Sequence, residues 1–148
     1  MKQTLFRVAA FALMALPVSA QMAAAQDTAC PPTEGAATPL LENAKSLVIA
    51  GKYAEFFAAV APGSDPSSEQ MKKALEGLQK IAPEGFKTCS TLVHRQENTG
   101  LVQEVVFFGT SAAPALSLYI SSAEIDGTPS VLSFLLSPDF ENAFEKLR

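Results

Sequence analysis

The apolar residues of this chain change their period near Phe86, and that switch constrains the fold more than any other feature. Upstream they recur three and four residues apart, as on one face of a helix. Downstream they alternate, as on one face of a strand. Leu40, Leu41, Ala44, Leu47 and Val48 form the first helical stripe, with Thr38 as N-cap and Pro39 in the first turn. Gly51 interrupts it, and Tyr53, Phe56, Phe57 and Val60 resume it until Ala61-Pro62-Gly63. Ser67 and Gln70 make a capping box before Met71, Ala74, Leu75, Leu78 and Ile81, and Pro83-Glu84-Gly85 closes that run. Three helices are expected, over about 39–50, 52–60 and 68–82.

Beyond Phe86, Ser90, Leu92, His94 and Gln96 alternate with Thr91, Val93 and Arg95. Leu101 to Phe108 is rich in Val and Phe, as in a strand covered on both faces. Leu116, Leu118 and Ile120 alternate with Ser117, Tyr119 and Ser121, and Asp126-Gly127 marks a hairpin before Val131 to Leu136. A short terminal helix carries Phe140, Ala143, Phe144 and Leu147. Helices followed by a four-stranded antiparallel sheet over about 88–136, then a short C-terminal helix, is an α+β domain. It spans 39–148 of the 148 residues, enough for one domain. The helices cover one sheet face, and the other is expected to stand open to a cavity or a partner.

The N-terminus reads as an address. Lys2 and Arg7 precede an apolar run from Val8 to Leu16, and Val18-Ser19-Ala20 supplies small residues for cleavage. Residues 1–20 are expected to be a signal peptide of bacterial type, with an alternative cleavage after 25. The destination is the periplasm or the exterior. The run is far shorter than a bilayer span. Losing Lys2 and Arg7 with the signal would move the net charge from −4 to −6. An acidic chain disfavours nucleic acid and polybasic membrane contact. Cys30 lies too far from the apolar run to be a lipidation site. Cys30 and Cys89, the only two cysteines, are expected to pair in an oxidising compartment. The bridge would close a loop of about sixty residues, worth ~4 kcal/mol in the chain-entropy model. It would pin an extended arm, residues 21–38, to the sheet.

The segment AKSLVIAGKYAEFFAAVAP, residues 44–62, and the helices-then-meander order resemble secreted members of the nuclear-transport-factor-2-like superfamily. Gly51-Lys52-Tyr53 stands at the bend of that family's paired N-terminal helix, and Phe56-Phe57 supplies the aromatic after it. LVQEVVFF (101–108) and GTPSVLSFLL (127–136) would be sheet strands. The resemblance spans roughly 40–136 and implies a cone-shaped α+β fold. This chain lacks the Trp often found in the family's last strand and adds a helix after it. The superfamily holds enzymes, ligand binders and docking modules, so function has to come from the site. The family's catalytic His-Asp pair has no match here.

His94 is the only histidine. Antiparallel pairing around the turn at 98–100 sets it near Glu104, a possible proton-transfer pair. No metal site and no cofactor are implied. Cys and His do not cluster as zinc requires, and Glu124-Ile125-Asp126-Gly127 lacks the remaining calcium ligands. The aromatic residues Phe56, Phe57, Phe107, Phe108, Tyr119 and Phe134, with His94 and Glu104, are the candidate pocket or interface. Three functions stay open. The first is a non-catalytic module that docks a protein, or a second copy of itself, through the open sheet face. The second is a binder of a small apolar ligand in a cone-shaped pocket. The third is a cofactor-free enzyme using His94 and Glu104.

Overall fold

A computed structural model describes residues 30–32, 34–111 and 114–148. The expected signal peptide, its expected cleavage sites and the first part of the expected arm lie outside the described residues. The helices are α1 (Pro39–Ile49), α2 (Tyr53–Val60), α3 (Glu69–Ile81) and α4 (Phe140–Glu145). The strands are β1 (Thr88–Gln96), β2 (Val102–Gly109), β3 (Pro114–Ile125) and β4 (Thr128–Ser137). They form one antiparallel meander in the order β1-β2-β3-β4. The α+β layout is the one expected from the change of period. No helix among the described residues is long and apolar enough to cross a membrane.

Pro39 starts α1, and Thr38 holds an extended N-cap backbone, but its hydroxyl makes no cap bond. The cap of α3 is Ser68 rather than Ser67: Ser68 Oγ accepts from Met71 N. Ser67 instead donates through its N and Oγ to Asp65 Oδ1, at 2.8 and 2.7 Å, shaping the preceding turn. The bend between α1 and α2 falls at Gly51, φ +71°. A Cβ there would lie 2.8 Å from Gly85 N, and one on Gly85 only 2.0 Å from Ile49 O. Two glycines thus let the end of α1 meet the turn after α3 backbone to backbone, and Phe86 N donates to Ile49 O. That contact aims the chain into β1.

The helix-facing core contains Leu41, Val48, Phe56, Val106, Phe108, Leu116, Leu118 and Ile120. Asp126 and Gly127 take positive φ, as a two-residue hairpin turn requires, and Ile125 pairs with Thr128. Two bulges alter the expected alternation. In β1 the register shifts between Thr91 and Val93, leaving Leu92 unpaired and exposed. Thr91 pairs with Val106 and His94 with Glu104, so these face the helices while Val93 faces away. His94 and Leu92 therefore do not share a face in the way simple alternation requires. Leu132 is likewise left unpaired in β4.

The outer sheet face is less open than expected. Beneath α4, Phe107 packs on Phe140 and Phe144, with ring centroids 4.3 and 6.0 Å apart. Val105 and Tyr119 form a second core with Ala143, and Val93, Leu135 and Leu147 pack against it. The terminal helix spends its apolar face on the surface that docking through the sheet would have used.

Candidate functional site

α3 carries the same kind of apolar stripe as the other helices but buries little of it. Leu78 is its one buried residue, while Met71, Ala74 and Leu75 are half-buried. Clefts lie along it. The largest, about 550 Å³, runs between α3, the end of α2 and the edge strand β4. Phe57, Ala61, Met71, Ala74, Phe134 and Leu136 wall it, and Ser64, Asp65, Ser68 and Gln70 stand at the end where α3 begins. A second cleft, about 200 Å³, continues past Ala74 and Leu136 to Gly77, Lys73 and Pro138. A third, about 180 Å³, lies on the α2 side of Met71 and Leu75. Phe57 borders all three.

The groove exists because β4 is an edge. α1 and α2 both approach β4, yet on that edge strand Phe134 and Leu136 stay only half-buried. Phe134 closes an aromatic trio with Phe56 and Phe57, at 5.7 and 6.0 Å, which fixes the groove's floor. Two hydrogen bonds from Ser67 hold the Asp65 carboxyl below its ordinary range, so the groove's polar end carries a carboxylate.

A second arrangement lies under α1. Lys45 is fully buried, its Nζ 2.5 Å from Glu42 Oε1 and 2.9 Å from Glu104 Oε2. It also donates to the carbonyl of Cys30 at 2.8 Å and to Thr91 Oγ1 at 3.3 Å. Glu104 Oε1 shares a 2.8 Å hydrogen bond with His94 Nδ1. Thr91 Oγ1 donates to the same Cys30 carbonyl, and the Cys30–Cys89 disulfide fixes that carbonyl from the other side. The arm then passes over the imidazole: a Cβ on Gly35 would lie 2.9 Å from His94 Nε2. His94 Nε2 is buried with no hydrogen-bond partner among the described residues. One ammonium between two carboxylates is costly to desolvate, and this one is made tolerable by the oxygens around it.

The candidate residues therefore do not form one site. Phe56 and Phe108 are fully buried core, Phe108 stacking near Phe86 at 5.5 Å. Phe57 and Phe134 line the groove. Phe107 and Tyr119 are on the opposite face, where Tyr119 Oη accepts from Gln103 Nε2 at 2.9 Å. His94 and Glu104 are direct cross-strand partners, as expected, but line none of the three clefts. Sequence reasoning missed Lys45 and Glu42. The signal was present: Lys45 lies four residues after Leu41 and three before Val48, on the stripe itself. It also missed Met71 and Ala74 as groove residues, reading the α3 stripe only as one face of an expected helix.

Among the other groups, Tyr53 donates to the Ala82 carbonyl at 2.5 Å, and burial pushes its phenol above the ordinary value. Comparison of the chain with protein-family models, with curated proteins and with solved structures finds no match in any of the three.

Proposed function

We propose that this chain is an exported, non-catalytic domain that holds a small apolar ligand in the groove between α3 and β4. The single observation behind it is the groove: about 550 Å³, apolar along its length and polar at one end. That volume lies within the range of small-molecule sites, and so does the pattern of an apolar wall with a few polar groups. The disulfide agrees with an oxidising compartment, and the periplasm or exterior is the destination we infer. Helices before a four-stranded meander support a nuclear-transport-factor-2-like assignment, which we keep as part of this reading. Docking through the outer sheet face has less support, because α4 occupies much of it. The enzyme reading has less as well, because the arm lies over His94 and the Cys30 carbonyl is held by Lys45 and Thr91.

The test uses the oxidised protein without its signal and the neutral fluorophore N-phenyl-1-naphthylamine. Saturable binding is expected. Ala74→Trp fills the groove and should weaken binding at least tenfold, while Leu132→Trp, outside it, should not. Matching melting temperatures would show both variants folded. No saturable binding, or binding that Ala74→Trp leaves unchanged, overturns the reading.

A further inference from the structure

We propose that the arm is a redox-latched strap. The Cys30–Cys89 disulfide holds it down over His94, and reduction by a dithiol lifts it, opening His94 Nε2 as a reactive modification site. This goes beyond the groove and uses none of its residues.

The imidazole beneath the strap is already oriented. Its side chain is 6% exposed, and Nδ1 lies 2.8 Å from Glu104 Oε1. Lys45 Nζ stands 2.9 Å from the other oxygen, Oε2. An ionised carboxylate only accepts, so Nδ1 donates, and Nε2 carries the lone pair of the neutral ring. A carboxylate on one ring nitrogen fixes the ring and makes the other nitrogen more basic. Here that other nitrogen is buried and has no hydrogen-bond partner among the described residues. Gly35 lies over it. A Cβ there would stand 2.9 Å from both Nε2 and Cδ2, and φ is +86°, so a glycine is what lets the backbone close on the ring.

The strap is held at its ends rather than along its length. Residues 34–37 are exposed, and among the described residues no backbone hydrogen bond ties them to the sheet. Downstream, the Thr38 carbonyl accepts from Leu41 and Glu42 and so belongs to α1. Upstream, the anchor is Cys30, through its bridge to β1 and its carbonyl on Lys45 and Thr91. With the bridge open, the pinned loop becomes a free end. Two hydrogen bonds then stand against the ordering cost of residues 30–38, which exceeds their net worth. Cys30 is 1% exposed and Cys89 half-buried, so a dithiol reaches the bridge from the Cys89 side and Cys30 is the leaving thiol. Two electrons and two protons pass to the bridge. Cys30 and Cys89 become thiols, and the dithiol becomes its own disulfide.

The probe is diethyl pyrocarbonate, which ethoxycarbonylates accessible imidazole nitrogens. With a single histidine in the chain, mass spectrometry of the peptide that carries it reads His94 alone. The signal-free protein is compared oxidised, and after reduction with dithiothreitol and its removal under nitrogen. Reduction is expected to speed modification of His94 at least tenfold, while amides of β2 and β3 keep their protection from hydrogen exchange. Gly35→Ala with the disulfide intact should also speed it, because the added Cβ cannot share the space with the ring. Three results would each overturn the proposal. One is an oxidised protein whose His94 reacts as fast as in urea. Another is a His94 that stays slow in the reduced, still protected protein or in Gly35→Ala. The third is reactivity that rises only as β2 and β3 lose protection, since the bridge would then hold the whole fold and not a strap.

Discussion

Replacing Lys45 by Met keeps the length of the side chain and removes its ammonium. Glu42 and Glu104 then remain beneath α1, with side chains 7% and 0% exposed, and no other lysine or arginine pairs with either among the described residues. Breaking a buried pair by removing one partner costs about 3–5 kcal/mol, because the surviving charge is uncompensated. Here two carboxylates survive, and the Cys30 carbonyl loses one of its two donors, so the upper half of that range is the expectation. With a urea slope of roughly 2 kcal/mol per molar, the midpoint should fall by about 2 M. The companion variant carries Glu42→Leu, Lys45→Met and Glu104→Gln together. It removes every formal charge from the cluster while leaving position 104 a carboxamide for the His94 hydrogen bond. Burying neutral groups in place of an ion cluster is often neutral or stabilising. The triple variant should therefore recover most of the midpoint lost in the single one. Equilibrium urea denaturation of the oxidised proteins at pH 7 checks both. A loss under about 1 kcal/mol for Lys45→Met would refute the reasoning. So would a triple variant as unstable as the single one, which would make side-chain packing rather than charge the cause.

Two further perturbations follow from the same structure. Replacing Cys30 and Cys89 by Ala opens a loop of 59 residues, and the chain-entropy relation assigns that closure about 4 kcal/mol. A denaturant midpoint that reductant leaves unmoved in the wild-type chain would contradict this. Tyr53→Phe removes the hydrogen bond to Ala82 and should cost about 0.5–1.5 kcal/mol at neutral pH. The phenol's value is raised in the folded state, so the unfolded chain ionises first on alkalinisation. Stability is whole below the unfolded value and is lost as pH rises through the window between the unfolded and folded values. Tyr53→Phe should therefore show a shallower fall in stability above about pH 10 than the wild type, and identical slopes would exclude Tyr53 as a cause.

What could be read from the residues was what local rules decide. The change of period at Phe86 separated helices from strands, and Asp126-Gly127 marked a hairpin because few other pairs accept two positive φ angles. The cysteine pairing followed from the count of two and the expected oxidising compartment. The bulges at Leu92 and Leu132 were not legible, because a bulge is settled by which residues the partner strand offers, not by the strand's own alternation. The first bulge carries His94 to the helix side, where Glu104 awaits it. Lys45 was hidden for a related reason. A lysine on an apolar stripe is ordinarily read as a stem reaching for solvent, and only the sheet's placement of Glu104 turns it inward.

The groove was the feature least accessible to sequence, since it is a mismatch between two elements that each look ordinary. The stripe on α3 predicts a helix seated on the sheet, yet the sheet ends at β4 and only Leu78 finds full cover. Both sides of the mismatch are apolar: Met71, Ala74 and Leu75 on the helix, Phe134 and Leu136 on the strand. A chain can relieve such a mismatch by closing the helix onto the strand, by placing polar residues along the seam, or by binding something apolar in it. The capped start of α3 and the backbone contact of Gly51 with Gly85 hold its two ends, which opposes closure. The seam's middle has no polar residue to satisfy water. Under the reading proposed above the third way applies, and a helix held at both ends over an apolar trench would lose little further freedom on receiving a ligand.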